Sequence, residues 1–166
     1  MKKRILSIVS SMAVLCCMLV VSAGTVVKAA AEEPIMVDGS YLTTEDSSTG
    51  KSSDGLARGE HMMTGECSIS KAGIGRIYCF GATTAHHEVD RLGVIVYVDQ
   101  YNEETGEWGQ VDWFMEEIEN DYFVYASKSI MVDRGYYYRV HADHYVVKGD
   151  DPPEETFSFT DGIFIP

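Results

Sequence analysis

From Gly65 onward, apolar and polar residues alternate along the chain with a period of two, which is typical of strands that bury one face. The clearest stretch has one predicted core face, Leu92, Val94, Val96 and Val98, and one opposite face, Gly93, Ile95, Tyr97 and Asp99. No segment carries a sustained apolar stripe at helical spacing. The chain is therefore predicted to fold as β-sheet.

Turn signals separate these alternating segments. They are Asn102-Glu103-Glu104-Thr105-Gly106, Asp133-Arg134-Gly135, Gly149-Asp150-Asp151-Pro152-Pro153 and Asp161-Gly162. About seven short strands with turns between them predict an all-β domain over residues 61–166, folded as a single antiparallel β-sandwich.

One strand has a more particular pattern, formed by Gly135, Tyr138, Val140 and Ala142. It resembles the penultimate strand of fibronectin-type and immunoglobulin-like sandwiches, in which a tyrosine packs its ring inward and bonds the backbone at a corner. The resemblance implies an immunoglobulin/fibronectin-like sandwich in which Tyr138 is buried.

Residues 1–31 have the layout of an export signal. A basic start, Met1-Lys2-Lys3-Arg4, precedes an apolar stretch, and Ala29-Ala30-Ala31 offers a cleavage site before Glu32. The apolar stretch is long enough for a retained anchor, but serines interrupt it and favour cleavage. The protein is predicted to be secreted and extracellular, with no membrane contact after cleavage.

The charge balance narrows the range of partners. The chain has 13 Lys and Arg against 26 Asp and Glu. Four of the bases and none of the acids lie in residues 1–31, so the remainder carries 9 bases against 26 acids, a net charge of −17. Such a charge repels nucleic acid and anionic lipid, so neither is an expected partner. It suits a soluble exported protein, and it leaves the oligomeric state open.

Residues 32–60 are rich in Ser, Thr, Asp, Glu and Gly, a composition that buries little apolar surface. They are predicted to form a flexible polar arm, in which Ile35-Met36-Val37 and Tyr41-Leu42 can dock as short strands.

The chain as a whole resembles a family of small, uncharacterised secreted proteins from clostridia-type Gram-positive bacteria. The matching segments are Val37-Asp38-Gly39-Ser40-Tyr41-Leu42, Gly73-Ile74-Gly75, Gly81-Ala82-Thr83-Thr84-Ala85, Ser127-Lys128-Ser129, Gly135-Tyr136-Tyr137-Tyr138-Arg139-Val140 and Asp161-Gly162-Ile163. The resemblance implies one exported domain and supplies no activity or catalytic residue.

Two cysteines follow the predicted signal, Cys67 and Cys79. A hairpin centred on Gly73 would place them opposite each other, and an oxidising compartment would allow a disulfide. Two buried free thiols are the equally weighted alternative.

The five histidines, His61, His86, His87, His141 and His144, do not form a zinc motif. On a strand, the odd spacing of His141 and His144 places them on opposite faces. The acidic runs at 103–104, 116–121 and 150–151 lack the spacing of an EF-hand loop, so calcium stays a minor alternative. No metal site and no cofactor are predicted.

No nucleophile elbow, His-paired cysteine or phosphate loop is present, so the protein is predicted not to be an enzyme. Aromatic side chains outside the predicted core give the best indication of function, because exposed rings stack on sugars or anchor protein partners. They are Tyr97, Tyr101, Trp108, Tyr137 and Tyr145. The expected function is non-catalytic binding of an extracellular glycan or protein. A secreted effector or inhibitor of a protein target is the alternative, and a small hydrolase is a remote one.

Overall fold

A computed structural model of the protein describes residues 35–52 and 59–166, so the predicted signal peptide, residues 1–31, lies outside the described residues. The described part contains nine strands. They are β1 (Met36–Val37), β2 (Ser40–Thr43), β3 (Ser47–Lys51), β4 (Met62–Gly73), β5 (Arg76–Asn102), β6 (Glu107–Met131), β7 (Tyr136–Val147), β8 (Glu154–Phe159) and β9 (Gly162–Ile165). These ranges hold no helix, and thus none that is long and apolar enough to span a membrane.

The strands form one curled, mixed sheet. Its order is β1-β2-β9-β7-β5-β4-β3, with β6 also pairing with β5 and β8 also pairing with β7. The prediction of an all-β fold is confirmed. The prediction of a purely antiparallel sheet is wrong, because β2 runs parallel to β9, with Leu42 opposite Gly162. Parallel neighbours need a long connection between them, and here nearly the whole chain supplies it.

The two longest strands produce the curl. The first half of β5 pairs with β4 and the second half with β7, while β6 follows β5 along both halves. Four residues of β5 but only one residue of β6 lie between the pairs Thr84–Phe123 and Val89–Asp121. Extra residues in one strand bend and twist a sheet locally. Strands that the sequence predicts as separate short elements are therefore continuous 27- and 25-residue strands.

The core lies inside the curl, where the predicted face of β5 is completely buried. The turn predicted at 102–106 joins β5 to β6, and Gly106 adopts the positive φ of 73° that it requires. The ring of Tyr138 is buried, and its hydroxyl donates to the Asp133 carbonyl oxygen at 2.9 Å. The inward ring and the backbone hydrogen bond predicted for Tyr138 are thus present.

The segment predicted as a flexible arm contributes three strands, β1 to β3, to the sheet. The buried Arg139 holds the turn between β1 and β2 in place. Its guanidinium donates to the Asp38 carbonyl oxygen at 3.0 Å and to Ser40 Oγ at 3.1 Å. It also forms ion pairs with Asp38 at 3.0 Å and Asp99 at 3.1 Å. The polar composition of the arm is misleading because its order comes from hydrogen bonds to distant residues rather than from apolar burial.

The curl also brings β3 against β8. Gly50 lies so close to β8 that a Cβ there would overlap the Phe159 carbonyl oxygen. The Asp161 N–H donates to Ser48 Oγ at 2.9 Å nearby. The two strands therefore meet through backbone atoms, and a side chain at position 50 has no room.

Cys67 and Cys79 are free thiols, and both are buried. In the hairpin, Cys79 pairs with Ile69, while Cys67 pairs with Gly81. The turn is centred on Ile74 rather than on Gly73 as predicted, which moves the two cysteines out of register by two residues. Burial raises the pKa of Cys67 to about 11 and that of Cys79 to about 12.

A buried polar chain crosses the core at His144. Thr83 Oγ1 donates to the Gly93 carbonyl oxygen and lies 2.9 Å from His144 Nδ1, and His144 Nε2 lies 2.8 Å from Ser158 Oγ. His144 points inward and His141 outward, so the prediction that they occupy opposite faces is confirmed. Burial lowers the pKa of His144 to about 4, because the charged ring would lose its hydration.

This pKa predicts a pH-dependent stability. The unfolded chain protonates His144 near pH 6.5, whereas the folded protein does so only near pH 4. Stability from this residue is complete above pH 6.5 and is lost as the pH falls toward 4. We expect the free energy of unfolding to drop by about 2 kcal/mol between pH 7.5 and pH 5, measured by urea unfolding. His144→Gln should flatten the profile in this window, and an unchanged profile would contradict the assignment.

Candidate binding surface on the outer face of the sheet

All five aromatic residues predicted as a binding face lie on the outer face of the sheet, and all are half-buried. Each ring contacts other residues of the protein. The ring of Tyr97 stacks on His141 with centroids 4.6 Å apart, Tyr101 contacts Trp108, and Tyr137 contacts Phe164. Tyr145 lies across Gly93. These rings thus share a face, but their contacts are largely made within the protein.

Trp108 helps to fix the N-terminal strands. Its indole N–H donates to the Val37 carbonyl oxygen at 3.1 Å, and the Arg139 guanidinium lies 4.6 Å from its ring centroid. Both contacts hold structure together, so this tryptophan offers less open ring surface than the sequence suggests.

The exposed side chains of the outer face belong mostly to residues other than the five that the sequence singled out, and Tyr97 is the one that both sets share. Two cross-strand rows run over β6, β5, β7 and β8: Trp113–Tyr97–His141–Phe159 and Met115–Ile95–Asp143–Phe157. We call these eight residues the outer patch. Trp113 is 54% exposed and Phe157 is 52% exposed. Exposed aromatic and aliphatic side chains at adjacent strand positions form a continuous apolar surface.

Strand β8 buries its hydroxyl side chains and exposes its apolar ones. Its polar residues Thr156 and Ser158 are buried, whereas Phe157 and Phe159 face solvent with rings stacked at 15°. The inward side is polar because Ser158 pairs with His144. The alternation in the sequence shows that the two phenylalanines share a face. Which face they occupy depends on His144, whose buried position the sequence does not give.

Carboxylates lie along one side of the outer patch. The next row is Glu117–Gly93–Tyr145–Glu155, in which the Tyr145 hydroxyl donates to Glu117. Burial, the hydrogen bond to Glu117 and its charge together raise the pKa of Tyr145 to about 12. Burial and the nearby Asp143 also raise the pKa of Tyr97. The patch thus contains one carboxylate, Asp143, and has two more, Glu117 and Glu155, in the adjoining row.

Asp99, on the same strand as Tyr97, is a buried carboxylate. Burial by itself would raise the pKa of Asp99, but hydrogen bonds and charge from His141 and Arg139 outweigh it and keep the pKa below its ordinary value. His141 Nδ1 lies 3.0 Å from Asp99 Oδ2. Asp99 therefore fixes the imidazole on which Tyr97 stacks.

The remaining histidines meet away from the outer patch. His61 Nδ1 lies 3.2 Å from His87 Nε2, and His61 Nε2 lies 3.1 Å from Asp151 Oδ2. His86 is exposed on β5. Within residues 35–52 and 59–166, no group of three or more His, Cys, Asp or Glu side chains is arranged to hold a metal ion.

Comparison with known proteins adds a family and no activity. The model of a family of unknown function (DUF6147) matches residues 28–161, which is most of the chain. The resemblance to an uncharacterised family that the sequence indicated is thereby confirmed. No curated protein and no solved structure matches the chain.

Proposed function

The chain belongs to the DUF6147 family, whose function is unknown, so we propose a role from the geometry of the structure. We propose that it is a non-catalytic binding protein that captures another protein through the outer patch. The inversion of β8 carries this proposal. Two phenylalanines face solvent while hydroxyl side chains fill the interior, at a site where the reverse would bury more apolar surface. Apolar area kept outside in this way stabilises the protein only when a partner covers it.

The composition of the patch favours a protein over a glycan. Sugars stack on open ring faces, and Tyr97 already has one face covered by His141. Trp113, Met115 and Phe157 give the mixture of large apolar side chains that forms the centre of protein interfaces. Asp143 within the patch and the adjoining Glu117 and Glu155 select a partner with basic residues beside its own apolar side chains.

The test is site-specific photo-crosslinking in culture medium or host fluid. A benzoylphenylalanine at position 159 is compared with one at position 78, because Phe159 and Tyr78 are both 40% exposed and only Phe159 lies in the outer patch. We expect one specific protein adduct at position 159 and none at 78. With that protein purified, Phe157→Ser should weaken binding about tenfold or more, and Tyr78→Ser should not.

Two outcomes would remove the proposal. One is equal cross-linking at both positions. The other is saturable pelleting with insoluble glycans or cell walls, with or without calcium, that Phe157→Ser abolishes, because it would assign the patch to a glycan. Loss of the captured protein's activity on binding would instead identify the effector or inhibitor form of this role, and turnover of the captured protein would point to the hydrolase.

We also propose that the protein is exported and begins at Glu32. The basic, apolar and small-residue segments of residues 1–31 support this, as does the surplus of acids in the remainder. When the whole chain is expressed in a Gram-positive host, we expect it in the medium, with mass spectrometry giving an N-terminus at Glu32. Ala29→Asp with Ala31→Asp should block processing, and Ala23→Ser serves as the control. Cell-retained protein with an intact N-terminus would contradict export.

An immunoglobulin/fibronectin-like sandwich arrangement of the domain is part of the same proposal. The buried ring of Tyr138 with its bond to the Asp133 carbonyl oxygen supports it, as does the close approach of β3 to β8. An experimental structure with two facing sheets would support this fold, and one with a single open sheet would contradict it.

A further inference from the structure

The free edge of β6 is the largest unpartnered backbone feature of the described fold. Among the strands of residues 35–52 and 59–166, β6 pairs with β5 alone, so its other edge has no strand beside it along 25 residues. An edge strand offers its outward N–H and C=O groups to an added strand.

The curl turns this edge into a groove. The two halves of β6 bend toward each other, and Lys128 of the second half forms an ion pair with Asp112 of the first at 2.7 Å. Between the halves lies a groove of about 520 Å³, with walls that include Phe114, Glu116, Ile118, Phe123, Val124 and Ala126. We call this the β6 groove.

The β6 groove is suited to apolar side chains. Tyr125 at its rim is 56% exposed, and Phe123 and Ile118 are also exposed. Val124 and Ala126 at its base belong to the buried surface of the core. An extended peptide can therefore place alternate side chains against apolar walls while its backbone pairs with the edge.

The charge of β6 determines which peptide fits. The strand carries six acidic residues and one base, Lys128, which is already paired with Asp112. The acids are concentrated between Glu116 and Asp121. A second copy of the chain pairing antiparallel at this segment would set carboxylates against carboxylates, which is unfavourable. A cationic strand would instead set positive side chains against these carboxylates, which is favourable.

We propose that the β6 groove binds an extended cationic segment of a partner protein, which adds to the β6 edge as a strand. Its apolar side chains lie on the face that Phe114 and Ile118 share, and its Lys or Arg side chains lie on the opposite face, which carries Glu117 and Glu119. The groove shares Met115 with the outer patch, but the inference rests on the free edge of β6 and does not depend on the function proposed for that patch.

The probe is a synthetic octapeptide of alternating Lys and Val, titrated calorimetrically into the purified protein. A Glu–Val peptide reports on charge, and a Lys–Val peptide with one central proline reports on strand pairing, because proline removes a backbone donor. We expect binding of the Lys–Val peptide alone. It should protect amides of residues 114–128 from hydrogen exchange.

Matched variants locate the site. Glu117→Gln with Glu119→Gln should weaken binding of the Lys–Val peptide about threefold to tenfold, because both carboxylates lie on the face of the Lys side chains. Glu103→Gln with Glu104→Gln makes the same charge change in the β5–β6 turn and should leave binding unchanged. Urea midpoints verify that both double variants are folded, and added salt should weaken binding to the wild type.

Three results would overturn the inference. They are equal binding of the Glu–Val peptide, equal loss in both double variants, and exchange protection outside residues 114–128. None of them involves Phe157 or Phe159, so failure here and failure of the outer-patch proposal are distinguishable.

Discussion

Substituting Arg139 by alanine is expected to lower the free energy of unfolding by about 4 kcal/mol, since it leaves the buried Asp99 carboxylate without its permanently charged partner. Arg139 Nε donates to Asp99 at 3.1 Å, and both side chains are at most 8% exposed. The substitution also removes the ties to Asp38 and Ser40, so β1 and β2 should lose exchange protection first. Urea unfolding and amide exchange measure the two effects.

The controls separate buried pairing from general loss of charge. Arg76→Ala removes an exposed arginine from the start of β5 and should cost about 0.5 kcal/mol or less. Combining Arg139→Met with Asp99→Asn should recover part of the loss, because no uncompensated buried charge is then left. If Arg139→Ala matched Arg76→Ala, the guanidinium would not be holding the N-terminal strands.

Gly50→Ala is expected to destabilise the protein by about 3–4 kcal/mol, even though it adds only one carbon. The added Cβ would overlap the Phe159 carbonyl oxygen, which belongs to backbone and cannot rotate away. The contact between β3 and β8 must open to accept it. Urea unfolding should show a lower midpoint, and amides of β3 should exchange faster.

Gly109→Ala is the matched control. Gly109 also lies in a strand, and the nearest atom to an added Cβ is the Gln100 carbonyl oxygen at 3.9 Å, an ordinary contact. Its change in unfolding free energy should be within about 0.5 kcal/mol of zero. Similar destabilisation by both substitutions would mean that the position of β3 against β8 is not tightly constrained.

The sequence predicts local features of this fold well and distant pairings poorly. The alternation from Leu92 to Val98 and the turn at 102–106 are local patterns, and both are correct. The parallel pairing of β2 with β9 joins segments about 120 residues apart, and no local pattern encodes it. A shift of the turn centre by one residue was enough to separate Cys67 from Cys79 in register.

In the candidate site, too, the sequence predicts local features but not contacts between distant segments. The sequence places Tyr97 and Tyr145 outside the core, which is correct. It does not reveal that His141 covers one face of Tyr97, nor that Phe157 points outward. Both follow from partners on other strands: Asp99 holds His141, and His144 draws Ser158 inward.

The parallel pairing of β2 with β9 sets an order of events during synthesis. Ser40, near the beginning of the described chain, donates to the Thr160 carbonyl oxygen, 120 residues later. Strands β1 and β2 thus have no place in the sheet until residues 160–165 have left the ribosome. Segments this far apart in the sequence pair on the slow scale of about milliseconds to seconds that distant contacts impose. Until then its N-terminal segment stays accessible to chaperones and to any export machinery that accepts only unfolded chains.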